Sequence, residues 1–354
     1  MTEGIPEDRM DIITLQLTTM AHGGDALGRH EGKVIFVPYA IPGETVRAQI
    51  IEDKGHYAFA HLVEVVEPSN HRVDPPCPYF GQDKCGGCQW QHIAYDTQLR
   101  LKAEILVDQL ERIGDVEEPL VHPTLPDESG WAYRNHAQFH PARGGGLGFQ
   151  KASSDDVVAI DYCRILHPLL SDLYGLIDLD VEGLIRLVLR AGTVTGDRLI
   201  GFEMEEDVPP ALVSDEAVSC VILLNEGGYA NLVGDNMITE VVAEQLYRVS
   251  ASSFFQVNTP QAAELVRLAM AYLDLEGPET VLDAFCGVGL FTRHLAERAE
   301  LVIGVESSPS AVDDLLENTA EYSNVEIIEG AVEGVLPEIT VPLDAALLDP
   351  PRGG

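Results

Sequence analysis

The sequence lacks both a hydrophobic run long enough to cross a membrane and an apolar leader. Its longest apolar stretches, VIFVPYAI and VSCVILL, are far shorter than the roughly 20 residues that a membrane-spanning helix needs. The first residues, MTEGIPEDRMD, are acidic and contain no apolar core of a signal peptide. We therefore expect a cytoplasmic protein with no membrane partner.

Positive charge is also scarce, with 22 Lys and Arg against 58 Asp and Glu and a formal net charge of −36. Because Lys and Arg drive binding to phosphate backbones, this balance argues mildly against a nucleic-acid partner. The imbalance is uneven, since residues 1–150 hold 12 of the 22 basic residues, 22 of the 58 acidic ones and nine of the 11 histidines. A local basic face can still exist in this part of the chain.

The six cysteines include only one closely spaced pair. Cys77, Cys85 and Cys88 lie in CPYFGQDKCGGCQWQH, and an isolated Cys163 follows in IDYCRIL. Structural zinc usually needs a second close pair, so three clustered cysteines and a remote fourth favour a 4Fe–4S cluster, with zinc as the alternative. The spacing does not match a radical-SAM site. Cys220, inside VSCVILL, is predicted to be a core residue.

Three regions differ in pattern. From Asp11 to about Val66, short alternating stretches separated by glycine turns predict a small β-barrel. Residues 131–258 are mainly strand-like and predict a mixed, mostly β middle domain. Between these regions, residues 93–113 predict an amphipathic helix that ends at Gly114 and presents one apolar face, made of Leu99, Leu106, Leu110 and Ile113.

The pattern changes again at Asn258. Thr259 and Pro260 suit the N-cap and first turn of a helix that runs to Gly277. After it, strand-like and helix-like segments alternate, beginning with TVLDAF and ending with LDAALLD. This alternation predicts a parallel, doubly wound α/β sheet.

A glycine-containing turn follows the first of these strands. VLDAFCGVGLF places Asp283 at the strand end and Gly287 and Gly289 before a helix, so a ligand can approach the backbone closely. Glu306 ends the next strand, where a carboxylate can hold two ribose hydroxyls. The loop lacks the third glycine of the dinucleotide fingerprint. This pattern favours S-adenosylmethionine (SAM) over NAD.

LLDPPR places Asp349 at the carboxyl end of a further strand, at the edge where doubly wound folds bind ligands. In methyltransferases that act on amino groups, a similar Asp-Pro-Pro is followed by an aromatic residue. Here Arg352 follows, which indicates a different acceptor.

The motifs GGDALGRHEGKVIFVPYAIPGE, CGGCQWQH, YRN, SFFQVN, LDAFCGVGLFT, VIGVESSPSAV and LLDPPRGG occur in this order. Together they resemble the TRAM-domain RNA (uracil-5-)-methyltransferase family over essentially the whole chain. The resemblance implies a TRAM barrel (residues 1–68), a central iron–sulfur and RNA-binding domain (69–257) and a Rossmann-like methyltransferase domain (258–354), the last incomplete.

The resemblance also implies an activity, SAM-dependent methylation of uridine C5, with rRNA favoured over tRNA as the partner. It assigns the ligands of a 4Fe–4S cluster to Cys77, Cys85, Cys88 and Cys163, and SAM contacts to Gln256, Phe285, Glu306 and Asp349. The family's RNA contacts concentrate in the N-terminal part, where the chain is less acidic.

Three departures from the family pattern stand out. The first cysteine gap is longer than expected, and Ala331 stands where a polar residue usually faces the adenine. The third concerns the nucleophile, which the family places with its base after the Asp-Pro-Pro-Arg segment, so we expect both beyond Gly354 in a longer protein. Within the chain the one candidate is Cys286, which we expect to pack beneath SAM. The alternatives are an inactive RNA- or SAM-binding protein and a methyltransferase for another acceptor.

Overall fold

The computed structural model describes residues 12–152, 154–177, 182–210, 218–225 and 228–351. The chain forms two compact units. The first comprises Met1–Gly130 and Gly148–Ile160, and the second Trp131–Leu147 and Asp161–Gly354. Within the described ranges, every helix is too short or too polar to cross a membrane.

A closed five-stranded barrel forms most of the first unit, in the order β1-β2-β3-β5-β4. Buried and exposed residues alternate along the first strand, as a strand with one face in a core requires. The predicted barrel is therefore confirmed. Its strands are β1 (Ile12–Met20), β2 (Ala26–His30), β3 (Lys33–Val37), β4 (Thr45–Asp53) and β5 (Tyr57–Glu67).

The predicted helix after the barrel is present as α1 (Tyr95–Arg112), but its predicted apolar face is wrong. Leu106 is 49% exposed and Ile113 72% exposed. The buried stripe is Thr97 and Leu101, and Leu101 joins the barrel core with only 1% of its surface exposed. The apolar residues of α1 lie around more than one face, so periodicity alone did not identify the side that packs on the barrel.

The middle of the chain is mainly β, as predicted. In the second unit five strands lie in the order β12-β11-β10-β9-β6, beside helix α2 and a separate hairpin of β13 and β14. Cys220 on β11 is buried, which confirms it as a core residue. The strands and helix are β6 (His136–Pro141), α2 (Pro168–Leu176), β9 (Leu184–Ala191), β10 (Arg198–Met204), β11 (Ser219–Leu223), β12 (Tyr229–Val233), β13 (Met237–Val242) and β14 (Gln245–Ser250).

Two short strands, β7 (Leu147–Gln150) and β8 (Val157–Ala159), pair as an antiparallel hairpin that belongs mostly to the first unit. In the same unit, the N–H of Gly86 donates to the Gln150 carbonyl at 2.9 Å. A Cβ atom at Gly86 would lie 2.7 Å from the backbone N of Ala152. The close approach explains why glycine stands at this position in the cysteine loop.

The C-terminal part contains the predicted parallel sheet, with strand order β17-β16-β15-β18. Since β16 and β18 lie on opposite sides of β15, the strand order reverses there, as in doubly wound folds. The elements are α3 (Thr259–Leu273), β15 (Thr280–Ala284), α4 (Leu290–Ala296), β16 (Leu301–Glu306), α5 (Pro309–Thr319), β17 (Val325–Glu329), α6 (Val332–Val335), a 3₁₀ turn (Leu336–Glu338) and β18 (Ala345–Leu348).

Helix α3 begins one residue earlier than predicted. Its N-cap is Asn258, whose side chain accepts a hydrogen bond from the Gln261 N–H at 3.2 Å. The Thr259 hydroxyl donates instead to the buried carboxylate of Glu240 at 3.0 Å. The helix ends at Leu273, because Asp274 adopts a left-handed conformation (φ 44°) before Gly277 is reached.

A buried carboxylate on α5 fixes the β14 region against the parallel sheet. Asp314 is fully buried and accepts hydrogen bonds from the Ser250 N–H, the Ser250 hydroxyl and the Ser253 hydroxyl at 2.6–2.7 Å. Arg248 adds an ion pair at 3.2 Å. The segment that carries Gln256 thus follows residues that are held in place by buried hydrogen bonds.

Candidate cofactor site and cysteine loop

The turn after β15 has a backbone that few side chains tolerate. Phe285, Gly287 and Gly289 all have positive φ, at 62°, 56° and 93°. A Cβ atom at Gly289 would lie 2.6 Å from Leu315, so this glycine is required both by conformation and by packing. The turn therefore exposes backbone at the carboxyl end of the sheet, where ligands of this fold class bind.

Glu306 links the glycine turn to the end of β16. One carboxylate oxygen accepts the Gly287 N–H at 2.8 Å, and the other accepts the N–H groups of Ser307 and Ser308, each at 2.8 Å. The side chain is half-buried. Three donors hold the carboxylate in place at the edge of the sheet.

Asp283 lies beneath the same turn and is fully buried. One oxygen accepts the Thr292 hydroxyl at 2.6 Å, and the other is buried without a hydrogen-bond partner. Burial raises the pKa of Asp283 to about 7, against the hydrogen bond from Thr292, and the charges of Asp349 and Glu306 raise it further. Asp283 therefore lies within electrostatic reach of both Asp349 and Glu306.

Phe285, Glu306 and Asp349 all lie at the carboxyl edge of the sheet. Phe285 directly follows β15, Glu306 ends β16, and Asp349 follows β18 with its N–H 3.4 Å from the Ala284 carbonyl. Phe285 is half-buried and Asp349 is exposed. Arg352 lies outside the described residues.

Gln256 comes from a different part of the second unit, on the segment that leads into α3. Asn135 anchors this segment, because its side-chain amide donates to the Gln256 carbonyl and to the Thr259 hydroxyl, both at 3.1 Å. The Asn135 N–H also donates to Val257 at 3.0 Å. The YRN motif therefore positions the SFFQVN motif, a connection that sequence reasoning missed although it singled out both.

Cys286 lies below the cofactor turn with 4% of its surface exposed. A Cβ atom built at Gly304 would lie 3.3 Å from its sulfur, so the thiol points toward β16. Burial raises its pKa strongly, and the nearby charges of Asp283 and Glu306 add to the rise. These features disfavour a reactive thiolate.

The cysteine loop of the first unit carries Cys77, Cys85 and Cys88, all of them partly exposed. The Gly87 N–H donates to the Cys85 sulfur at 3.4 Å. Burial raises the pKa of Cys85, and charges on Cys88 and Cys77 raise it further, so the three thiols lie close enough to interact. Across the described part of the chain, no group of three or more His, Cys, Asp or Glu is arranged to hold a metal ion.

Cys163 belongs to the second unit, in the segment before α2. Its carbonyl accepts the Leu166 N–H at 3.3 Å, and the neighbouring carbonyls of Arg164 and Ile165 accept N–H groups from Ala132 and Arg134. The segment is therefore held against the start of the middle sheet.

Comparison with known proteins agrees with this architecture. Residues 10–63 match the TRAM domain family. An RNA methyltransferase of Streptomyces avermitilis is 34% identical over 96% of this chain and 83% of its own length. One of Halalkalibacterium halodurans is 32% identical over 99% of this chain and 84% of its own.

Among solved structures, the Pyrococcus abyssi tRNA (uracil-54, C5)-methyltransferase in complex with S-adenosyl-L-homocysteine (SAH) superposes with a TM-score of 0.71. It is 24% identical and covers 96% of this chain and 84% of its own. A TRAM barrel combined with a parallel sheet whose carboxyl edge bears a glycine turn and acidic strand ends, together with these relatives, places the chain in the class of Rossmann-like RNA methyltransferases. The chain belongs to the family of TRAM-domain RNA methyltransferases.

Proposed function

We propose that this protein transfers the methyl group of SAM to C5 of a uridine in RNA. The observation that carries the proposal is the carboxyl edge of the parallel sheet, where a backbone-exposing turn lies beside the fixed carboxylate of Glu306. A nucleoside with two ribose hydroxyls fits a carboxylate there, and a cationic sulfonium suits an edge that also holds Asp283 and Asp349. The resemblance of the motif series to uracil-5-methyltransferases supports uracil C5 as the acceptor.

The proposed SAM contacts are Gln256, Phe285, Glu306 and Asp349. Glu306 would bind the ribose hydroxyls and Phe285 would pack against the cofactor. Asp349, which follows β18 on the other side of β15, would face the reacting end. Gln256 closes the site from the segment held by Asn135. The four side chains come from four separate segments, so one bound cofactor would tie them together.

Uracil C5 is a weak nucleophile, and a thiolate adding to C6 would make C5 enolate-like. After C5 takes the methyl group from the sulfonium, a base removes the C5 proton and the thiolate leaves, which restores the C5–C6 double bond. Cys286 is a poor source of that thiolate, because it is buried beneath the turn. We keep the prediction that the nucleophile and base follow the Asp-Pro-Pro-Arg segment.

We propose rRNA as the substrate, as the family resemblance implies. The alternative is tRNA, since the Pyrococcus abyssi protein is a tRNA methyltransferase. The TRAM barrel supports an RNA partner, since small β-barrels of this kind bind oligonucleotides. We also retain the predicted domain boundaries near residues 68 and 257 as part of the proposal.

The 4Fe–4S cluster remains a proposal. It is supported by the cysteine spacing in the sequence and by the Gly87 N–H, which donates to the Cys85 sulfur as backbone amides do toward cluster thiolates. Within the described residues the thiols themselves are not arranged around a metal position. Cys77, Cys85, Cys88 and Cys163 would hold the cluster, whose role would be to fix this loop. Anaerobically purified protein should contain about four irons with matching sulfide, and Cys88→Ser or Cys163→Ser should lose both. Stoichiometric zinc without sulfide would overturn the assignment.

Deleting the gene in its host and measuring 5-methyluridine in purified rRNA and tRNA tests the function. Loss from rRNA supports the proposal as stated, and loss from tRNA alone corrects the substrate. Restoring the gene with Glu306→Ala should fail to restore the modification, whereas Glu329→Ala, on the neighbouring strand, should restore it. An unchanged 5-methyluridine content in both RNAs, with SAM and RNA still bound in vitro, would favour the inactive binding protein.

A further inference from the structure

Basic side chains gather on one face of the middle sheet, in the second unit. His136 on β6 lies directly opposite Arg190 on β9 in the antiparallel register, and such partners project to the same side. Arg134 precedes His136 by two residues and forms isolated bridges with Leu166 and Asn258. The three basic residues, called here the β6–β9 basic cluster, therefore share one face.

Each member of the cluster has a buried nitrogen without a hydrogen-bond partner. These atoms are Nε of Arg134, Nε2 of His136 and Nε of Arg190. Nearly all buried polar groups in native proteins form hydrogen bonds, so three buried nitrogens without a partner on adjacent side chains require an explanation. A ligand that accepts hydrogen bonds is the simplest one, because all three nitrogens can donate.

Among the described residues, neither Arg134 nor Arg190 forms an ion pair with a carboxylate. Arg190 is only 3% exposed, and its Nη2 donates to the Ser253 carbonyl at 2.6 Å. The charge of Asp314 acts on Arg190, but the Asp314 carboxylate is already bound by Ser250, Ser253 and Arg248. A third arginine near the cluster, Arg186, is neutralised by Glu203 at 2.5 Å. Two positive charges thus remain without a counterion.

The lowered pKa of His136 also indicates an excess of positive charge at the cluster. Burial lowers its pKa to about 3, and the positive charges of Arg190, Arg134 and Arg186 lower it further. A positive potential at this point is notable in a chain with a net charge of −36. It would attract an anion into a place from which water is largely excluded.

We infer that Arg134, His136 and Arg190 form a binding site for one phosphodiester of the RNA backbone. Guanidinium groups suit phosphate because their planar donors match its oxygens. The site lies against the SFFQVN segment, since Arg190 contacts Ser253 and Arg134 bridges to Asn258. It therefore lies beside Gln256 and would place one phosphate close to the proposed cofactor site. This inference rests on the proposed function, because it takes RNA as the partner.

The test compares Arg134→Gln with Arg267→Gln. Arg267 is an exposed residue of α3 in the same unit, paired with Glu264, so its substitution removes the same charge away from the cluster. The probe is a short, uridine-containing single-stranded RNA, whose affinity is followed by fluorescence anisotropy over a range of salt concentrations. SAH affinity, measured by calorimetry on the same preparations, reports whether each variant is folded.

We expect Arg134→Gln to weaken RNA binding about tenfold or more and to leave SAH binding unchanged. The slope of log affinity against log salt should fall by about 0.7, the value for one phosphate contact on a single strand. Arg134→Lys should recover part of the affinity, and Arg190→Lys should weaken binding in the same way. A neutral methylphosphonate scanned along the RNA should cost the wild-type protein affinity at one position and cost Arg134→Gln less at that position.

An Arg134→Gln variant that binds RNA no more weakly than Arg267→Gln would overturn the site. A weaker affinity with an unchanged salt slope would also overturn it, since the residue would then have only a structural role. Wild-type protein that binds SAH but no RNA would refute the proposed function and the inference together.

Discussion

Replacing Glu306 with Gln tests the proposed role of the sheet edge while keeping the shape of the side chain. The carboxylate accepts three backbone N–H groups at 2.8 Å, from Gly287, Ser307 and Ser308. A glutamine has one acceptor oxygen and an NH₂ group, so it can satisfy donors on one side only and opposes an N–H on the other. The variant therefore loses the charge and disturbs the turn that carries it.

The magnitude follows from the bonds that the carboxylate can make to a nucleoside. Hydrogen bonds to a charged group contribute about 1.5–3 kcal/mol, and losing the charge opposite two ribose hydroxyls should weaken binding about tenfold to a hundredfold. Because SAM and SAH share the same ribose, both ligands should lose affinity by a similar factor. A loss confined to SAM would instead indicate interaction with the sulfonium charge.

Calorimetric titration of SAM and SAH measures the effect, with thermal unfolding of the ligand-free protein run beside it. Glu329→Gln is the matched control, because Glu329 is the register partner of Glu306 on β17 and is exposed. Affinities of Glu306→Gln within twofold of those of Glu329→Gln would refute the assignment of Glu306 to the cofactor site.

Three further predictions concern buried groups of the second unit. Asp283 has its pKa raised from 3.8 to about 7 by burial, aided by Asp349 and Glu306, so the folded protein holds this proton more tightly than the unfolded chain. The resulting contribution to the free energy of unfolding is on the order of 4 kcal/mol; it is fully present below about pH 4 and is lost as the pH rises toward 7. Urea unfolding measured over this pH range should show the fall in wild type and in Asp313→Asn, but not in Asp283→Asn. Cys286 should resist alkylation in the native state, because it is buried and its pKa is raised. Mass spectrometry after iodoacetamide treatment that found Cys286 labelled as fast in the native protein as in the urea-unfolded protein would contradict its placement. Asp314→Asn should lower the free energy of unfolding by about 3 kcal/mol or more, since it disrupts a buried carboxylate with four donors, whereas the exposed neighbour variant Asp313→Asn should change it by less than about 0.5 kcal/mol.

Local patterns predicted the elements that carry strong periodicity. The glycine-separated strands of the barrel and the alternating strands and helices after Asn258 were confirmed because each pattern depends on neighbouring residues. The order of the middle strands was left open, since pairing between distant segments leaves little trace in a single sequence. For the same reason the prediction of which face of α1 packs on the barrel was wrong: Leu101, not Leu106, is buried there.

Part of the candidate site could also be predicted from the sequence. Strand ends predicted that Asp283, Glu306 and Asp349 would lie at one edge, because parallel strands place their carboxyl ends together. The anchoring of the Gln256 segment by Asn135 was missed, since these residues are 121 positions apart. The orphaned nitrogens of Arg134, His136 and Arg190 were missed too, because burial without a partner is visible only in three dimensions.

The most direct test of the central claim is a crystal structure of the protein with SAH. The proposal predicts SAH at the carboxyl edge of the parallel sheet, with both ribose hydroxyls within hydrogen-bond distance of Glu306 and the homocysteine end toward Asp349. Phe285 and Gln256 should both contact the ligand. SAH bound elsewhere, or bound at this edge with its ribose away from Glu306, would contradict the account.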